Sequence, residues 1–249
     1  MLRHTGQKRS YKHNLRLAIL LCLNAGFINA AGFLAFSVLT TNVTGHAALL
    51  AVNIASMNFR STRMVALWLF LFLAGAFLSS FYISAVGRNK TFAYTMPIVF
   101  IIVILLFVAI FGHHYNHTLP ETEYFAGSLL FSMGIQNAMV SMISGSVVRT
   151  THLTGMFTDL GIDLSEAVHS FKTLNAVVKR RIALRLAIII SFLSGGILGS
   201  LIFVQAGFFA FYAPVSILVI ALFYDYFRVK IIRAISRSKL PDQKTSDYL

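Results

Sequence analysis

LAIIISFLSGGILGSLIFV, residues 186–204, carries no charged side chain from end to end, and two more runs share that character: LWLFLFLAGAFLSSFY at 67–82 and PIVFIIVILLFVAIF at 97–111. Crossing a bilayer takes about 20 predominantly apolar residues in a helix. Lipid offers the backbone no hydrogen bonds, so a spanning segment must be a helix or part of a closed barrel. The runs are continuous rather than alternating, which selects helices. The whole chain agrees: 57% of its 249 residues are apolar and 12% charged, about half the charge of an ordinary soluble domain, with mean hydropathy +0.76.

Working outward through apolar runs and breakers predicts spans near 15–39, 64–86, 95–112, 124–145, 182–204 and 208–227. Two shorter segments, near 44–58 and 155–169, are too short for a full crossing and suit half-helices or re-entrant segments. Basic residues set the orientation. Arg3, Lys8, Arg9, Lys12 and Arg16 precede the first span, and Arg88 and Lys90 follow the second. Arg149, Lys172, Lys179, Arg180, Arg181 and Arg185 follow the fourth, and Arg228, Lys230, Arg233, Arg237, Lys239 and Lys244 follow the sixth. With the N-terminus inside, nineteen of the 21 Lys and Arg residues fall in the cytoplasm, and only Arg60 and Arg63 fall outside, as the positive-inside rule requires. The net charge of +13 is thereby explained by cytoplasmic loops and anionic lipid headgroups, with nucleic acid excluded as a partner. The single cysteine, Cys22, allows no intramolecular disulfide.

The chain repeats itself. GFINAAG (26–32) matches GIQNAMV (134–140), and TTNVTGH (40–46) matches TTHLTGM (150–156). AGAFLSS (74–80) matches GGILGS (195–200), and Pro97 matches Pro214. The offsets are 108, 110, 120 and 117 residues, all in order. Each half holds three spans, so the second enters from the opposite face. The expected fold is all-α: six transmembrane helices plus two half-helices, as two inverted three-span repeats. A basic arm occupies 1–14, the first repeat 15–112, an external loop 113–123, the second repeat 124–227 and a basic tail 228–249. Such repeats recur in transporters, with the site between the halves at broken helices. Gly75 and Gly195 read more simply as close helix contacts, and small-residue faces also suit self-association into a homo-oligomer.

The TTxxTG segments are the candidate site. A threonine oxygen can cap free N–H groups, glycine admits close backbone approach, and a helix start inside the membrane turns its positive dipole end toward a cavity. Thr44, Gly45, Thr154 and Gly155 are therefore the expected substrate-binding residues, with the amides Asn29 and Asn137 on the wall. The plainer reading is that Thr44 and Thr154 only satisfy a kink. Gln136, like the two asparagines, needs a polar partner in lipid. Asp159, Asp163 and Glu166 share one helical face. Asp159 and Asp163 are candidates for proton or cation coupling, unless Arg149 or Lys172 pairs with them. Asp225 beside Arg228 reads as an interfacial ion pair. His113, His114 and His117, with Glu121 and Glu123, read as a solvated loop rather than a metal site. No cofactor motif or nucleophile elbow is present, which argues against an enzyme. A membrane enzyme would have to use Asp159, Asp163 and His152.

At GFINAAGFL (26–34), TTNVTG (40–45), MGIQNA (133–138) and RTTHLTGMFTDLG (149–161) the chain resembles the YoaK-like family of bacterial membrane proteins, over residues 15–227. The second motif is the most specific. The family pattern follows the first Thr-Gly with Asn, where this chain has His46. The family is a domain of unknown function, so the resemblance implies the bacterial inner membrane and names no substrate. The expected function is a transporter or channel for a small polar or anionic solute, its other partners being membrane lipids. The alternative is a structural or interaction protein without flux.

The charge distribution predicts that a cysteine replacing His117 reacts with an impermeant thiol reagent on intact cells, while one replacing Ser170 does not. Labelling at Ser170 from outside would reverse the orientation.

Overall fold

The computed structural model describes residues 11–88, 90–116, 118–169 and 175–223. His117, Ser170, Lys172, Asp225 and Arg228 lie outside them. The described residues form helices and turns, without a strand: α1 Tyr11–Phe36, α2 Val43–Ala55, α3 Phe59–Val86, α4 Thr95–Phe111, α5 Leu119–Ser144, α6 Leu153–His169, α7 Ala176–Ala206 and α8 at 212–223. Five segments are long and apolar enough to cross a membrane: Ala18–Phe36, Phe59–Val86, Thr95–His114, Leu119–Ser144 and Ala176–Phe223. The last, 48 residues long, joins α7 to α8 and is broken at Gly207, whose φ of 56° is left-handed backbone that glycine adopts without strain. The short helices α2 and α6 stand where the sequence requires them.

Polarity is distributed as lipid demands. Phe70, Leu73, Phe77 and Phe81 on α3, with Phe100 and Val103 on α4, face outward, whereas Asn24, Thr40, Ser132 and Gln136 are buried. Lipid tails are as apolar as leucine, so helices gain little by hiding such side chains and associate through close packing and interhelical hydrogen bonds. Two pairs show that closeness. Helix α1 lies along α7 and α3 along α5. A Cβ on Gly26 would overlap the Phe192 carbonyl, and one on Gly195 the Leu23 carbonyl. A Cβ on Gly134 would overlap the Phe72 carbonyl, and one on Gly75 the Phe131 carbonyl.

These contacts are reciprocal at the repeat offsets. Leu23 and Gly26 of α1 correspond to Phe131 and Gly134 of α5, and Phe72 and Gly75 of α3 to Phe192 and Gly195 of α7. The first helix of each half thus packs on the second span-length helix of the other half. Contacts at Leu23–Gly195 and Phe27–Gly199 advance together, so α1 and α7 run in the same direction. The Leu71–Gly127 contact and the Ser80–Met142 hydrogen bond give α3 and α5 the same relation. By contrast, Leu21 meets Gln136 while Gly32 meets Leu129, so α1 and α5 run antiparallel. Helix α2 packs on α3, and α6 on α7.

A valine at Gly26 or at Gly134 forces a branched side chain against backbone, and each should cost about 3 kcal/mol by the overpacking range. Gly161, in α6, has open space around its missing Cβ. Gly161→Ala should instead stabilise by up to about 1 kcal/mol through helix propensity. Thermal melts in detergent check all three, and equal tolerance of valine and alanine would refute the close approach.

Candidate functional site

A buried amide pair occupies the α1–α5 contact. Asn24 Nδ2 donates to Gln136 Oε1 at 2.8 Å, and Gln136 Nε2 donates to the Leu21 carbonyl at 2.9 Å. Both side chains are fully buried. Gln136 is thus the amide that ties the repeats together. Asn137, beside it, has a buried Oδ1 with no partner among the described residues. Asn29 does different work: its Oδ1 accepts from the Thr41 N–H at 3.0 Å. That bond folds the 37–42 connection back along α1, so α2 starts at the level of Asn29 rather than beyond the end of α1.

The two TTxxTG starts differ from the expected capping. The cap of α2 is Asn42, whose Oδ1 accepts from the Gly45 N–H at 3.0 Å, and Thr44 sits exposed in the first helical turn. The Asn42 side chain, at the residue before the helix, reaches the free N–H groups, whereas Thr44, already inside the helix, cannot. Thr154 is likewise exposed, and its carbonyl accepts from the Thr158 hydroxyl at 3.1 Å. The buried threonines of the motifs are instead Thr40, Thr41 and Thr150, and the hydroxyls of Thr40 and Thr150 have no partner among the described residues. The site residues do not share one cavity. Asn29 lines a groove of about 410 Å³ with Gly26, Ala30, Phe192 and Gly196 between α1 and α7. Gly155 lines a cavity of about 460 Å³ at the start of α6, and Thr44, Gly45 and Asn137 line neither.

Charged and polar side chains from three places line that cavity: Ser146 and Arg149 after α5, His152 and Asp159 at α6, and Arg181 and Arg185 on α7. The α6 carboxylates are committed to the α7 arginines. Arg181 Nε pairs with Asp163 Oδ1 at 3.2 Å and its Nη2 with Glu166 Oε2 at 2.5 Å. Arg185 pairs with Asp163, with Asp159 Oδ2 at 3.4 Å and with the Asp159 carbonyl at 2.7 Å. Counter-ion to arginine is therefore the observed role of Asp159 and Asp163. The matching signal was in the sequence: both the aspartates and the arginines are four residues apart, one turn on facing helices. No motif pointed to Asn24, whose partner lies 112 residues away.

His46 is buried. Its Nε2 donates to the Leu39 carbonyl at 2.8 Å, and its ring stands edge-on to Trp68 with centroids 5.6 Å apart. In the 113–123 connection Glu121 accepts from the Asn116 N–H at 2.7 Å and Glu123 pairs with Arg63 at 3.5 Å. Among the described residues no group of three His, Cys, Asp or Glu side chains is placed to hold a metal.

Asp163 is 2% exposed and lies between two guanidinium groups. Asp163→Asn should destabilise by about 1.5–3 kcal/mol, because the buried carboxylate's charge-assisted hydrogen bonds to two guanidinium groups are lost. Glu166→Gln, at the exposed end, should cost under about 1 kcal/mol. Equal costs in detergent melts would show that burial is not what makes the α6–α7 pairing matter.

No curated protein and no solved structure is detectably similar to this chain. The sequence profile of one family, described as a protein of unknown function (DUF1275), matches residues 17–224. That range takes in α1 from Leu17 onward, every later helix of the bundle, both TTxxTG segments and the α6–α7 cavity, and the chain belongs to the DUF1275 family.

Proposed function

We propose that the protein is a transporter or channel for a small polar or anionic solute in the bacterial inner membrane, with its solute site at the start of α6. The observation that carries this is a cavity of about 460 Å³ with Arg149, His152, Asp159, Arg181 and Arg185 among its lining residues, in a bundle whose outer face is apolar. Its volume is within the range of small-molecule sites. In the proposed arrangement six spans form two inverted repeats of three, with α2 and α6 re-entrant and both termini cytoplasmic. The reciprocal glycine contacts and the antiparallel α1 and α5 support this. So does the 48-residue segment Ala176–Phe223: as one helix it would reach about 70 Å, more than twice the hydrocarbon thickness. Coupling through Asp159 or Asp163 would require each to part from Arg185 during the cycle.

A second reading, a membrane scaffold without flux, draws support from the Asn24–Gln136 pair, which fills the middle of the α1–α5 contact. Uptake into proteoliposomes, offered small carboxylates, inorganic phosphate and neutral polyols, separates the two. The transport reading expects saturable uptake of at least one class. The His152 ring occupies the space a Gly155 Cβ would take, so Gly155→Val should cut uptake about tenfold or more, by misplacing a site wall, while folding yield falls far less. No uptake of any class, or uptake and yield falling in proportion, favours the scaffold.

A further inference from the structure

The two TTxxTG starts are not chemically equivalent, and the difference lies at the cavity. At the repeat offset of 110, Asn42 corresponds to His152 and Leu39 to Arg149. In the first half the asparagine caps its own helix, taking the Gly45 N–H. In the second half the imidazole of His152 folds over Gly155 and makes no side-chain hydrogen bond among the described residues. The N–H groups of 153–155 receive no acceptor from the described side chains. Arg149 stands where the first half has an apolar residue. It lines the cavity, is exposed and has no ion pair or hydrogen bond among the described residues, whereas Arg181 and Arg185 are held by Asp163, Glu166 and Asp159. One half is thus closed and neutral at its helix start. The other lacks that cap and has, at its cavity, a cation without a partner among the described residues.

We propose that this cavity binds an oxyanion, a carboxylate or phosphate group, with the Arg149 guanidinium as its principal ligand. The planar guanidinium matches two oxygens of either group, while Arg185 and Arg181 remain counter-ions that shape the wall. The group comes either from a free solute or from an anionic lipid headgroup. The inference names the ligand class of the proposed transport site, and rests on that reading only for what becomes of a free anion after it binds.

The test is apparent melting of the full chain, because a ligand of the folded state raises it. In detergent, inorganic phosphate is compared with sodium chloride at equal ionic strength. In bilayers, phosphatidylcholine vesicles are compared with vesicles containing phosphatidylglycerol. Phosphate or phosphatidylglycerol should raise the midpoint beyond its control, and the arm that responds identifies the source. Arg149→Gln should leave the midpoint without phosphate unchanged and weaken the responding ligand about tenfold or more. His152→Asn installs the cap of the first half: it should raise the ligand-free midpoint and weaken the anion, a pair of effects that general salt stabilisation does not produce. The proposal is overturned if neither anion outperforms its control, or if Arg149→Gln keeps full affinity. Anion binding that depends on Arg149, without uptake in proteoliposomes, overturns transport and leaves the site standing. Uptake without Arg149-dependent binding does the reverse.

Discussion

Backbone-to-backbone contact at Gly26, Gly195, Gly75 and Gly134 is the constraint on which the remaining structure depends. Lipid removes the usual reward for burying leucine or phenylalanine, so a helix pair is held by how closely it packs. At these glycines a partner's carbonyl fills the space a side chain would need. That contact fixes both spacing and register of α1 on α7 and of α3 on α5. Everything peripheral rides on those two pairs: α2 lies on α3, α6 lies on α7, and α4 closes against α5.

Within this frame buried polar groups decide alignment. The Asn24–Gln136 bond spans the contact between the two glycine-bound pairs, where sliding one helix would leave two amides without partners, at a cost of about 1–3 kcal/mol each. It also breaks the repeat symmetry. At the offset of 108 the counterparts of Asn24 and Gln136 are Ser132 and Ile28, which do not form such a pair. The Asn29–Thr41 bond turns the chain back before α2. Without it the short helix would begin beyond α1 and its start would not lie beside the bundle core.

The same departure from symmetry recurs in the charges. Helix α2 has no ionisable side chain except buried His46, whereas α6 carries three carboxylates matched to two arginines of α7. One short helix is neutral and the other charged, although the motifs that precede them match. The cavity is at the charged one.

The apolar runs at 67–82, 97–111 and 186–204 by themselves determined a helical membrane protein, since only internally bonded backbone survives in lipid. The short helix α2 was legible for the same reason, being an apolar stretch too brief to span, and α6 from its match to the motif that precedes α2. The repeat offsets, read from motifs alone, also carried the glycines that meet across the halves. What the sequence could not say is which threonine is buried, because Thr40 and Thr44 differ only in where the chain turns, and that turn is set by Asn29 twelve residues earlier. Nor could it identify Asn42 as the cap, Asn24 as the partner of Gln136, or Arg185 as the holder of Asp163. Each of those depends on a distance between segments far apart in the chain, and only tertiary packing sets such distances.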